Sequence, residues 1–207
     1  MKKRFFLRTL VGAMAVAVIG FQAPQVNVAE EPFKVGLIVP MTGAFASTGR
    51  QVYAGAQAYM DQHGDTVAGR KVEIVLKDDG GVAANSRKLA QELIVNDDVD
   101  VIAGFGLTPI ALAVAPVATE SETPMVVMAA QTQTVTDASP FMVRTSGTIK
   151  QVTSGIAQWA VDNDIKTAVT LVPDYAPGYE SEETFKKYFI EGGGEILEEI
   201  RVPMRNP

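Results

Sequence analysis

The chain has 207 residues, a formal net charge of −6 from 18 basic and 24 acidic residues, and no cysteine. Without cysteine there can be no disulfide, thiolate metal site, thiol nucleophile or lipid anchor on a processed N-terminal cysteine. The acidic balance speaks against a nucleic-acid partner, which needs a basic footprint, and favours solubility.

Residues 1–29 read as a secretory signal peptide. Lys2, Lys3, Arg4 and Arg8 form a positive start, Leu10–Phe21 is apolar, and Ala23 and Ala29 are possible cleavage ends. An apolar run of about a dozen residues is short of the roughly 20 that span a bilayer. The expectation is an exported, periplasmic protein that is soluble after cleavage. Removing this segment takes four basic residues and no acidic one, so the remainder is more acidic still.

Strands and helices then alternate. Val35–Val39 predicts a buried strand ended by Pro40. A loop of small and hydroxyl residues runs to Gly49, and Gln51–His63 predicts a helix stopped by Gly64. Lys71–Lys77 alternates as a strand, and Asp78-Asp79-Gly80-Gly81 is a turn. A helix over 84–96 turns Leu89, Leu93 and Ile94 inward. Val99–Ala103, Pro124–Met128 and Phe141–Thr145 predict strands, with an Ala-rich helix over Pro109–Thr119. A second set follows: a helix over Ile149–Asn163 with Trp159 on its apolar side, a strand over Lys166–Val172, a helix over Tyr179–Glu191 closed by three glycines, and a strand over Glu195–Val202. This alternation predicts an α/β fold with parallel sheets covered on both faces. No repeat or low-complexity tract is visible. Residues 149–207 supply too little for an independent α/β core, so the chain is expected to be a fragment.

In open parallel sheets ligands bind beyond the carboxyl ends of the strands. Four loops fall there: Met41–Gly49, Gly104–Pro109, Ala129–Thr134 and Pro173–Gly178. Three of them are rich in small and hydroxyl residues, which let backbone groups approach a small ligand. Thr108, at a helix start, suits a carboxylate through its hydroxyl and the nearby N–H groups, and equally suits an ordinary N-cap. His63, the only histidine, sits at a helix end and reads as solvent-exposed. Asp78 and Asp79 lack the further carboxylates of a calcium loop. Gly104-Phe105-Gly106 is an incomplete dinucleotide fingerprint, with Pro109 at the third glycine position. The chain has no P-loop, nucleophile elbow or zinc motif, so neither an enzyme nor a metal site or cofactor is expected.

In this order the segments VGLIVPMTGAFASTG, the Asp78-Asp79 turn, VDVIAGFGLTP, PMVVMAA, SPFMVRTSGT and LVPDYAPG resemble the periplasmic solute-binding proteins of ABC importers, of the leucine/isoleucine/valine-binding type. The resemblance covers residues 33–207. It implies a type I periplasmic-binding-protein fold with two doubly wound parallel-sheet lobes that close over a ligand by a hinge. Residues 33–147 would form lobe one, and residues 148–207 the start of a second lobe that is incomplete in this chain. The implied function is capture of a small carboxylate-bearing solute, of branched-chain amino acid type, for delivery to a permease in the inner membrane.

Carried over from the family, Thr108 falls where a Ser or Thr holds the ligand carboxylate, and Ala129 and Ala130 where backbone groups meet the amino-acid head. Gln131 stands where amino-acid binders commonly have Thr, with Thr132 adjacent, and Thr48 where branched-chain binders have Tyr. Tyr175 belongs to the lobe-two loop, in which Pro177 precedes Gly178 where an aromatic is usual. SPFMVRTSGT and DYAPG are more similar to relatives that bind aromatic carboxylates, which makes an aromatic acid the alternative solute. The ligand-sensing domain of an extracytoplasmic receptor is the other alternative.

Overall fold

Val35-Gly36-Leu37-Ile38-Val39 carries no polar side chain, as a strand covered on both faces requires, and it forms the centre of β1 (Phe33–Val39). In the computed structural model, which describes residues 31–204, the chain continues through α1 (Ala46–His63), β2 (Thr66–Val67), β3 (Arg70–Asp78), α2 (Ala83–Val95), β4 (Val101–Gly104), α3 (Thr108–Ser121) and β5 (Met125–Val127). A 3-10 helix (Gln133–Ala138) and β6 (Met142–Arg144) follow, then α4 (Ile149–Asp162), β7 (Thr167–Pro173), α5 (Ala176–Glu191) and β8 (Glu195–Val202).

The first sheet has the order β2-β3-β1-β4-β5-β6 and is parallel except for the β2–β3 pair. Side chains alternate across β1. Ile38 enters a core with Leu93, Ile102, Ile110 and Val114, while Leu37 and Val39 face Val52, Tyr53 and Met41 on the other side. β7 and β8 form a separate two-stranded parallel sheet. Residues 1–29, read above as a signal peptide, lie outside the described residues. Among the described residues no helix is long and apolar enough to cross a membrane.

Several features depart from the expectations, among them the start of α5 at Ala176, three residues before the expected Tyr179, which puts Pro177 and Gly178 in its first turn and not in a loop. β2 and the 3-10 helix have no counterpart in the expected elements. Helix α1 begins at Ala46, five residues earlier than its apolar pattern indicates, so Ser47, Thr48 and Gly49 belong to its first turn and not to a loop. The early start rests on Gly49: a Cβ there would lie 2.0 Å from the Pro40 carbonyl oxygen, so only glycine lets this turn pack on the end of β1. The second sheet repeats the device, since a Cβ at Gly178 in α5 would lie 1.9 Å from the carbonyl oxygen of Pro173, which ends β7.

Trp159 lies on the apolar stripe of α4, a stripe that the described residues leave uncovered. Val152, Ile156 and Trp159 are exposed, while Thr153, Ala157 and Ala160 on another face are buried. α4 packs against α5 through small residues, with the Thr153 and Ser181 hydroxyl oxygens 3.1 Å apart. α4 starts with a reciprocal cap: the Gln151 N–H donates to the Thr148 hydroxyl, and the Thr148 N–H to the Gln151 side chain.

Candidate functional site

From β1 the chain passes through α1 to β3 on one side, and it later returns to place β4 on the other side of β1. The strand order therefore reverses between β1 and β4, and such a point opens a crevice at the carboxyl edge of the sheet. The loops after β1, β4 and β5 meet at that edge.

Thr108 lies 2% exposed at the first position of α3, and the N-cap is Leu107, which makes no side-chain cap. The N-cap reading of Thr108 is thus replaced: being one residue inside the helix, its hydroxyl is free to turn away from the helix backbone. It meets the Thr132 hydroxyl from the loop after β5, with 2.7 Å between the oxygens. Leu107 accepts the N–H groups of Ile110 and Ala111, and the first turn of α3 adds the positive end of its dipole beside the hydroxyl pair. The chain reaches this helix through Phe105, fully buried at φ 64, a conformation that an aromatic residue adopts only when its surroundings enforce it. Its N–H donates to Ile38 and its carbonyl accepts the Ala130 N–H.

The loop over 129–133 is held along its length. Ala130 is buried and its carbonyl accepts from the Ser146 hydroxyl. The Arg144 guanidinium donates to the Thr132 carbonyl at 2.6 Å. The Gln131 carbonyl accepts the Ile149 N–H at 3.0 Å, and the Gln133 N–H donates to both carboxylate oxygens of Glu180 in α5 at 3.0 and 3.1 Å. Ala129 is half-buried and Gln131 exposed.

Tyr175 is the N-cap of α5, and burial of its phenol raises its pKa. It lines a cavity of about 340 Å³ together with Gln131, Ile149, Leu171, Pro177 and Ser181. Tyr175 and Gln131, which come from the two sheets, therefore face one space. Thr108 and Thr132 are in direct contact, and Ala130 and Gln131 share their loop. Thr48 stands apart in the first turn of α1, half-buried, with its N–H donated to Phe45. His63 is exposed and lies against Tyr59, with ring centroids 4.3 Å apart.

One residue that sequence reasoning assigned only to a turn organises this edge. Asp78, at the end of β3, accepts from the Met41 N–H (2.8 Å), the Thr42 N–H (3.3 Å), the Thr42 hydroxyl (2.7 Å) and the Gly80 N–H (2.9 Å). Desolvation pushes its pKa up, but these bonds outweigh it and hold the carboxyl below the usual range. Asp79 is fully buried, and desolvation raises its pKa against the bonds from Gly81 and Ser86. An Asp at a strand end before Gly-Gly is a turn signal, and only the β1–β3 pairing shows that the Asp78 side chain reaches the loop after β1. Among the described residues no group of three His, Asp or Glu is placed to hold a metal ion.

Comparison with known proteins extends this picture. A family described as periplasmic binding protein matches residues 32–207. The chain is 44% identical over 172 residues to Leu/Ile/Val-binding protein homolog 6 of Brucella abortus, covering 83% of this chain and 44% of that protein. It is 56% identical to the solute binding protein of an ABC transporter from Rhodopseudomonas palustris BisB5, solved with 3,4-dihydroxybenzoic acid, with a TM-score of 0.82 over 85% of this chain and 48% of that one. It is 42% identical to the corresponding protein from R. palustris HaA2, solved with p-hydroxybenzoic acid, with a TM-score of 0.81 over 84% of this chain and 47% of that one. The chain thus spans about half the length of the relatives it matches.

Proposed function

The chain belongs to the periplasmic binding protein family and has its type I fold, and from that premise we propose that it is the solute-capturing part of an ABC importer, with an aromatic carboxylate of the benzoate class as its solute. Residues 33–147 act as lobe one and residues 148–207 as the beginning of lobe two. Residues 1–29 direct export to the periplasm, and the captured solute is delivered to a permease in the inner membrane.

The observation that carries this reading is the Thr108–Thr132 hydroxyl pair at the start of α3. Two hydroxyls against a helix N-terminus can turn their protons toward one carboxylate, which accepts at both oxygens. Ala129 and Ala130 precede this pair in the loop after β5, and the family resemblance adds Thr48 of α1 as a further ligand residue. Tyr175 and Gln131 line one cavity, made otherwise by residues of the second unit, and this is the space we assign to the ring. The aromatic assignment draws its support from the benzoate-type ligands named for the relatives at 56% and 42% identity. A branched-chain amino acid is the second reading, favoured by the name of the Brucella relative, and Thr108 would serve its carboxylate equally.

The test is a thermal-shift panel on the full-length mature protein with benzoate, 4-hydroxybenzoate, 3,4-dihydroxybenzoate, leucine, isoleucine and valine. A ligand at about 100 times its dissociation constant stabilises by roughly 2.7 kcal/mol. Stabilisation by the benzoates alone supports the first reading, and stabilisation by the amino acids alone replaces it with the second. A cooperative melt that none of them moves would reject both.

A further inference from the structure

We propose that Glu180 is a positioning residue for solute binding: it reaches from lobe two and fixes the loop that presents Thr132 to Thr108. This inference rests on the reading of the 129–133 loop as a ligand loop. The observation behind it is a bracket of two bonds around Thr132. On one side the Gln131 carbonyl accepts the Ile149 N–H, and on the other the Gln133 N–H donates to both oxygens of the Glu180 carboxylate. Both partners belong to the second unit, Ile149 at the start of α4 and Glu180 in α5. Between the brackets, Thr132 turns its hydroxyl to Thr108 and its carbonyl to Arg144.

The two brackets differ in kind. The Ile149 bond joins two backbone groups 18 residues apart at the crossing between the units, close to the point about which they would turn. The Glu180 bond comes from a side chain 47 residues further along, so it forms or breaks with the orientation of the lobes. Gln133 opens the 3-10 helix and Thr132 is its N-cap, which makes no side-chain cap of its own. Glu180 therefore caps that helix from the opposite lobe with a negative charge, the sign that a helix start favours. When the lobes part, the N–H loses this acceptor and the loop loses the restraint on one side of Thr132. Solute held by Thr132 and lobe closure held by Glu180 then favour one another through a single short loop, a coupling that must be reciprocal.

These 207 residues carry no cysteine, and any cysteine in the remainder of the full-length protein is first replaced by serine. Cysteines introduced as Gln62→Cys and Glu191→Cys, both exposed and one in each lobe, carry a fluorophore pair on the full-length protein. Energy transfer is measured on single ligand-free molecules, and 4-hydroxybenzoate affinity by calorimetry, for Glu180→Ala, Glu180→Gln and the control Glu183→Ala. Glu180→Ala is expected to move the ligand-free population toward lower transfer and to weaken binding about fivefold. Glu180→Gln, which keeps an acceptor without the charge, is expected to recover part of both. Melting temperatures of all three are expected to match, which separates positioning from folding. Transfer and affinity in Glu180→Ala equal to those in Glu183→Ala would overturn the proposal. The transfer measurement needs no ligand: if 4-hydroxybenzoate binds none of the proteins, the solute assignment fails while the distance distributions still decide the role of Glu180.

Discussion

Replacing Thr108 by Val tests the proposed carboxylate anchor directly. The side chain is 2% exposed and its hydroxyl lies 2.7 Å from that of Thr132. Valine keeps the shape and removes only the polar atom. In the ligand-free protein the change breaks one neutral hydrogen bond, about 1 kcal/mol. Thr132 is only half-buried, so its hydroxyl can turn to water, and the loss should fall at or below that figure. In the complex the same change removes a hydrogen bond to a charged group, about 1.5–3 kcal/mol, and with the ligand-free loss subtracted the dissociation constant rises roughly two- to a hundredfold. Thr108→Ser keeps the oxygen and should bind within about threefold of the parent, since only a methyl contact is lost. Calorimetric titration with 4-hydroxybenzoate, beside urea melts, separates the two effects. A Thr108→Val protein that binds like the parent but melts earlier would show that the hydroxyl pair serves the fold alone.

Gly49→Ala and Gly178→Ala should each destabilise by about 1–3 kcal/mol or more in urea melts, because the new Cβ would sit about 2 Å from a proline carbonyl oxygen; a neutral substitution would mean that the helices shift freely over the strand ends. Asp78→Asn should weaken solute binding through the loop after β1 and lower stability by about 1 kcal/mol, since an amide cannot accept all four bonds that reach the carboxylate. Glu182 is fully buried against Thr170 and Arg201; burial pushes its pKa up, but these partners outweigh it and hold it below the usual glutamate range. A depressed folded pKa gives stability that is complete above the unfolded value and is lost as pH falls through the folded one, progressively below about pH 5. The urea midpoint of Glu182→Gln should therefore vary less with acid than that of the parent, and parallel curves would argue against that role.

Alternation and composition were sufficient for the main elements, because a strand such as Val35–Val39 and a helix such as Ala83–Val95 carry their burial patterns locally. What eluded the sequence depends on distant partners. The start of α1 at Ala46 follows from the fit of Gly49 onto Pro40, which no periodicity reports. Thr108 and Ala129–Thr132 could be named from their places after strands, but their grouping could not: the Thr108–Thr132 contact spans 24 residues and needs β4 and β5 side by side. Asp78 reads as a turn residue and nothing in the sequence singles out Glu180, since the groups they hold lie 36 and 47 residues away.

These long-range bonds share a direction. Asp78 holds the loop after β1, Phe105 the loop after β4, and Arg144 and Ser146 the loop after β5, all from within the first sheet. Three loops fixed by one rigid sheet form a preorganised half-site, so a carboxylate docking there orders few groups and loses little affinity to that cost. On the proposed two-lobe reading, the second unit contributes differently. Its Tyr175 lines one cavity with Gln131, and among the described residues its side-chain hold on the loop comes from Glu180. On the proposed function, the first sheet then sets most of the anchor before solute arrives, while closure adds the Glu180 restraint beside Thr132 and the ring-facing wall. It follows that substitutions at the carboxylate anchor, Thr108 and Thr132, should act on every carboxylate alike, whereas Tyr175→Ala should change the ratio between benzoate and leucine. Equal losses for both ligands would refute this division.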